Sequence, residues 1–566
     1  MERKQFRVYR PLNKYFDSNL ELQRLIKKNI TTLKSLEYED LPPDDMFINT
    51  RKLPRFTSFA KLIKKNKSIS SFKLLIYNQV AKKCLPIFPA LKILRSLSTF
   101  HLAFPNSRTL TPKISHAFTH CTNNFKQLTN LHCYLDGFAV SPAKSLQTLH
   151  FISAFHSLSH LSLDLYFAKW INDASLLTLS YHVAFLPSLK SLSLELTNIK
   201  GITQMALLNL FSSLSKLPLL TSLYFCAAGS EALDFSTCIS LFENLKDLQN
   251  FQDLSLHLGS KNHLKSDDQD ALAIGLAFLN PSSFRRLSLE FYSDFSDSDL
   301  SALLIVLQRF SSLTHLSLRF NEHDLVTSEG FSKFPATLAQ FSSLASLKLN
   351  LSPTIETGSF FEVISLCLKD LKELVSLTLD TWSSLTIDNI GIQLLFSQLP
   401  SLPKLQHLDL DLGCDSRLDE KCIESMSHAL LKLTNLRSFH LDCRVDDKCA
   451  ENTFDDLVKS VGCLTHLRKL GLSLSSKFDL KKEMVENVTT SLKSLNCLAE
   501  LYLNLEMSHK GDQNAEQFKS LLRVLESQEK LLDICVNVPY FRSDKSWNEL
   551  QHRVENGAKK FHIYLN

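Results

Sequence analysis

Residues 310–320 read FSSLTHLSLRF, and the phrase returns along the chain as LPSLKSLSLEL (186–196), FSSLASLKLNL (341–351), LPKLQHLDLDL (402–412), LTHLRKLGLSL (464–474) and LNCLAELYLNL (495–505). Taking the leucine that opens L-x-x-L-x-L as an anchor, anchors fall at Leu97, Leu128, Leu158, Leu189, Leu220, Phe251, Phe284, Leu313, Leu344, Leu374, Leu405, Leu436, Leu467, Leu498 and Leu531. Their mean spacing is 31 residues, and no step departs from it by more than two. A period of that size marks a stacked-repeat architecture, in which each unit buries its apolar face only against its neighbours. Ile69-x-x-Phe72-x-Leu74 adds a unit in front and Ala558-x-x-Phe561-x-Ile563 one at the end, about 17 in all, with an uncertain extra strand at Leu33-x-x-Leu36.

Each unit carries two periodicities. After the anchor, apolar residues alternate, as in Leu408, Leu410 and Leu412, the pattern of a strand with one buried face. Further on, Ile423, Met426, Leu430 and Leu433 lie three and four apart, the stripe of an amphipathic helix. Helix starts carry suitable caps: Asp267 and Asp268 before ALAIGLAFL, and Ser296 before DSDLSALL. Stacked in register, these units predict an α/β solenoid with a parallel sheet on one side and helices on the other. Strands pack about 4.8 Å apart and helices about 10 Å, so the expected array is a curved horseshoe with the sheet on its concave face.

On these residues the chain resembles the leucine-rich-repeat superfamily, nearest to the ribonuclease-inhibitor-like group, over roughly residues 66–566. The resemblance implies the fold; the superfamily's inhibitors, GTPase activators, ubiquitin-ligase adaptors and scaffolds share it without sharing a function. There is one departure. The family places Asn or Cys a few residues after the third leucine, but here the position two beyond it is apolar, as at Leu165, Leu196, Leu258, Phe291, Phe320, Leu351, Leu412, Leu474 and Leu505. A longer strand is expected, its backbone satisfied by sheet pairing instead of an asparagine ladder.

Residues four and six after each anchor face the open side of the sheet. Most are small and polar, such as Ser162, Ser193, Ser255, Ser288, Ser317 and Ser473. Against them stand Asp380, Asp411 and Asp442 at the same position of three successive units, with Asp409 beside them. Like charges directly opposite each other destabilise a sheet. Three readings fit: a solvated ridge, a site for a basic peptide or protein surface, or a divalent-metal site, for which no closed ligand shell is evident. His315, His407 and His440 also face this side, without the closed ligand set that zinc requires.

Charge divides the chain. Residues 1–130 hold 24 Lys/Arg against 8 Asp/Glu, a net +16, and the remainder nets −11, so the two ends favour different partners. Arg51, Lys52, Arg55, Lys61, Lys64, Lys65 and Lys67 form a basic patch interleaved with Phe56 and Phe59. It suits a nucleic acid or another polyanion, an acidic region of a second copy, or simply the polar cap that closes a solenoid. The expected division is a basic cap or extension at 1–65 and a solenoid over 66–566.

The sequence offers no phosphate-binding glycine loop, no HExxH and no nucleophile elbow. Leu41-Pro42-Pro43-Asp44-Asp45 resembles the start of an F-box, but the following residues do not continue it. There is no signal-peptide core and no membrane-length apolar run, and the 13 cysteines, scattered at leucine-like positions, read as reduced hydrophobes. The expectation is a non-catalytic interaction scaffold of the cytosol or nucleus, without cofactor or metal, that binds a protein partner on the concave face. The alternatives are a nucleic-acid-associated protein using the basic end, or a substrate receptor of a ubiquitin ligase.

Overall fold

The computed structural model describes residues 85–103, 125–135, 149–230, 232–233, 235–258, 271–291, 295–320, 326–351, 360–381, 389–413, 417–446, 449, 451–479 and 482–508. It also describes 5–8, 35–40, 560–564 and shorter pieces within 60–76, 116–121 and 520–537. The chain divides into two compact units, Met1–Phe284 and Arg285–Asn566. The sequence-based boundary at 65 falls on a residue outside the described ones.

The first unit has nine described strands: Gln5–Val8, Ser35–Asp40, Ser71–Ile76, Thr99–Ala103, Asn130–Tyr134, His160–Asp164, Ser191–Glu195, Ser222–Cys226 and Asp253–Leu258. Each pairs in parallel with the next in chain order. The second unit has eleven: Arg286–Phe291, His315–Arg319, Ser346–Asn350, Ser376–Asp380, His407–Asp411, Arg417–Leu418, Ser438–Val445, Lys469–Asp479, Glu500–Ser508, Asp533–Asn537 and Lys560–Tyr564. The long strands are again parallel and in chain order. Eighteen of the twenty begin two residues after an anchor read from the sequence, the uncertain one at Leu33 included, which opens the strand Ser35–Asp40. Each unit is therefore an α/β repeat solenoid.

Alternation explains the burial. In Ser376–Asp380, Leu377 and Leu379 are fully buried while Ser376, Thr378 and Asp380 are partly exposed. Burying each such leucine is worth about 1.5–3 kcal/mol, repeated in every unit. Where the apolar position two after the third leucine is phenylalanine, rings stack between neighbouring repeats, Phe291 lying 5.5 Å from Phe320; on the helical side Phe331 and Phe360 meet edge-on at 5.2 Å.

Helices start where the caps place them. Ser296 forms a capping box with Asp299 at the head of Asp297–Leu307, and the Asp419 carboxylate accepts from the Cys422 N–H, 2.8 Å, at the head of Glu420–Leu430. Ile423, Met426 and Leu430 are the buried stripe of that second helix. Asp267 and Asp268 lie outside the described residues.

Two hydrogen-bond systems lock each repeat to the next. The first is the strand extension: Leu165, Leu196, Phe320, Leu351 and Leu412 each donate their N–H to a carbonyl of the next strand, as Leu351 N does to Asp380 O at 2.7 Å. Sheet pairing thus satisfies the backbone at the position where the family pattern uses asparagine. The second is a hydroxyl ladder one residue after the anchor. Ser98 Oγ donates to Ser70 O (3.0 Å), Thr129 Oγ1 to Ser98 O (3.1 Å), Ser159 Oγ to Thr129 O (3.1 Å) and Thr221 Oγ1 to Lys190 O (3.0 Å). Thr314 repeats it in the second unit, donating to Arg285 O (3.0 Å). The accepting carbonyl takes two backbone N–H groups as well; Thr129 O receives those of Ser159 and His160.

Candidate functional site

Strand register in the second unit sets Asp380 opposite Asp411 and Asp411 opposite Asp442, with Asp409 opposite His440. All four expected aspartates therefore come together on the open face of one sheet, neighbours across strands being about 4.8 Å apart. Their backbones are fixed from behind. Leu351, Thr381 and Leu412 donate N–H to the carbonyls of Asp380, Asp411 and Asp442, and the buried Thr381 adds its hydroxyl to Asp411 O at 3.1 Å.

The side chains are held as well. Asn350, opposite Asp380 on the preceding strand, donates its Nδ2 to Asp380 Oδ2. Asp411 Oδ1 accepts the N–H of Gly413 at 3.2 Å, and Gly413 adopts φ +76°, a left-handed turn that glycine enters without strain. Farther along the row, Asn504 donates to Ser473 Oγ at 3.1 Å. Two amides thus close the row from either end.

Burial raises the Asp411 carboxyl to about 6; Asp380 and Asp442 push the same way, against the Gly413 N–H and His440. Burial likewise raises Asp409, with Asp380 adding to it and His440 and Lys348 opposing. His407, two residues before Asp409, is held below its ordinary value by burial and by Arg437 and Lys469. The arrangement is an anionic row whose charges disfavour one another.

The row beside it contains residues that serine-dominated reading passed over. Gly471 is in register with His440 on one side and Tyr502 on the other. A Cβ at Gly471 would lie 2.0 Å from His440 Nδ1, so the imidazole occupies the space a side chain would take. The His440 and Tyr502 rings are 6.3 Å apart across the glycine, and Tyr502 is 39% exposed. The positional rule that found the aspartates also selects Gly471 and Tyr502; their signal was their departure from serine.

Of the basic patch, Lys64 is described and exposed; Arg51, Lys52, Arg55, Lys61, Lys65 and Lys67 lie outside the described residues, as do Phe56, Phe59 and Leu41–Asp45. His315 is exposed on the face of its strand. Among the described residues no group of three or more His, Cys, Asp or Glu side chains is placed to hold a metal ion. None of the described cysteines is in a disulfide, and most are buried. No described helix is long and apolar enough to cross a membrane.

No protein-family model matches the chain, and no curated protein is significantly similar to it in sequence. Among solved structures, the crystal structure of the Rad7 and Elc1 complex in yeast aligns over 70% of this chain and 83% of that chain, with 19% sequence identity and a TM-score of 0.40.

Proposed function

We propose that the protein is a non-catalytic interaction scaffold whose second unit holds a protein partner against the open face of its sheet, with Asp380, Asp409, Asp411 and Asp442 receiving a basic segment. The observation that carries this reading is the in-register column of Asp380, Asp411 and Asp442 on three parallel strands. A cation brought to that column relieves a repulsion the fold otherwise bears. The regular 31-residue repeat supports a kinship with the ribonuclease-inhibitor-like leucine-rich repeats, and the buried, unbridged cysteines among the described residues fit a reducing compartment such as cytosol or nucleus.

The test is affinity capture from lysate with the full chain and with a variant carrying Asp380→Asn, Asp409→Asn, Asp411→Asn and Asp442→Asn. Loss of specific partners, with an unchanged circular dichroism spectrum, is the expected result. Identical capture profiles would remove the ridge as a binding site.

A second reading rests on the charge division, since no acidic residue occurs between Asp45 and Asp136. The basic end then engages a nucleic acid or another polyanion. Replacing Arg51, Lys52, Arg55, Lys61, Lys64, Lys65 and Lys67 by Gln should abolish salt-dependent retention on immobilised DNA or RNA. A full-length protein that is not retained at low salt eliminates this reading.

A further inference from the structure

His101 and His132 stand in register on the neighbouring parallel strands Thr99–Ala103 and Asn130–Tyr134 of the first unit. Phe100 and Leu102 on either side of His101, and Leu131 and Cys133 on either side of His132, are buried, so the core fixes the backbones that carry the two rings. The same alternation turns both imidazoles to the open face, where each is half-buried. Their ring centres are 5.5 Å apart and their planes are tilted by 32°.

The fold makes no use of their nitrogens. Among the described residues no hydrogen bond reaches either ring, although an imidazole has two nitrogens that each donate or accept. Lys73 is in register with His101 on the strand before, and Ser162 with His132 on the strand after. Burial first, then His132 and Lys73, lower the His101 imidazole to about 4, and burial, then His160, lowers His132. The uncharged ring is the form that ligates a metal.

The spacing suits that chemistry. An ion bound at about 2.0–2.1 Å from nitrogen lies about 3 Å from the ring centre, so two rings on one ion have centres no more than about 6 Å apart. At 5.5 Å the pair is inside that limit, whereas His116 and His120, both exposed, are 6.2 Å apart. Calcium and magnesium take oxygen ligands, while imidazole suits zinc, nickel and copper.

We propose that His101 and His132 form a metal-binding pair, each giving one nitrogen to a single divalent transition ion on the open face of the first unit, with water in its remaining positions. Two protein ligands are fewer than the three of a catalytic zinc site or the four of a structural one. The ion is therefore exchangeable, and the fold does not depend on it. The assignment is independent of the acidic ridge in the second unit.

The test uses the full chain, free of any affinity tag, with copper(II) as the probe at neutral pH. At one equivalent, pulsed electron paramagnetic resonance should show two imidazole nitrogens on the ion, and excess zinc(II) should displace it. In competition with a chelating dye, His101→Asn and His132→Asn should each weaken copper binding about tenfold or more. His116→Asn and His315→Asn should leave it unchanged. Lys73→Gln should tighten it, because that variant removes a cation in register with His101; weaker binding there contradicts an ion at this position. Unchanged affinity in both His101→Asn and His132→Asn overturns the assignment, as does a loss produced by His116→Asn in their place. A wild-type spectrum without imidazole nitrogens overturns it whether or not the variants fold.

Discussion

Asp411 stands directly opposite Asp442 on the neighbouring parallel strand, and the sheet supplies no basic residue at the equivalent position of either of these two strands or of the one before, which carries Asp380. The consequence is thermodynamic. Burial first, and the neighbouring Asp380 and Asp442 carboxylates after it, raise the Asp411 carboxyl from 3.8 to about 6, so the folded state holds its proton more tightly than the unfolded chain does. Its ionisation penalises folding: the penalty is absent below 3.8 and fully present above 6.

Asp411→Asn should therefore stabilise the protein at neutral pH. Discounting for the partial exposure of the group, the gain is about 1 kcal/mol, a rise of about 2 °C in Tm. It should fade as pH falls from 6 toward 3.8. Differential scanning calorimetry across that range checks it; a gain that grows on acidification would show that ionising Asp411 does not penalise folding.

The hydroxyl ladder gives a prediction in the first unit. Thr129→Val keeps the shape but removes the donor to Ser98 O, which still receives two backbone N–H groups. The loss should be about 1 kcal/mol, read as a lower denaturation midpoint, and Thr129→Ser should recover most of it. An unchanged midpoint in Thr129→Val would make the ladder incidental.

Gly471 is a case of space already occupied. Gly471→Ala should displace the His440 imidazole and cost about 1–3 kcal/mol, because a Cβ there meets His440 Nδ1 at 2.0 Å. Adding His440→Ala should return most of that stability, so the two substitutions are strongly non-additive. Additive losses in a double-mutant cycle would mean that the glycine serves some other end.

How far the chain could be read in advance follows from these same residues. Strand positions were legible because Leu377, Leu379 and their equivalents repeat the same burial in every unit, and a period of two leaves no freedom of register once one face is buried. Ser296 was legible as a cap because its chemistry is local. The aspartate column followed from register alone. The register of Gly471 with His440 followed in the same way, but the imidazole's lean over the glycine did not, since it depends on the direction of a ring across strands, which spacing leaves open. The Ser98–Thr129–Ser159 ladder was hidden for another reason: Ser and Thr are common throughout the chain, and only the fold shows that one position aims its hydroxyl at a carbonyl 28–31 residues away. The amide ends of the row, Asn350 and Asn504, are nearly buried on the face expected to be wet, so their role appears only once neighbours are placed.

The most direct test of the central claim, that the open sheet face of the second unit is the binding surface, is site-specific photocrosslinking. The photoreactive residue p-benzoylphenylalanine is placed at Thr378, on the sheet face beside the ridge, or at Leu366, which is 58% exposed on the helix Phe360–Leu368. The account predicts covalent partner adducts from position 378 and none from 366. Adducts from 366 alone would place the partner on the helices and contradict it.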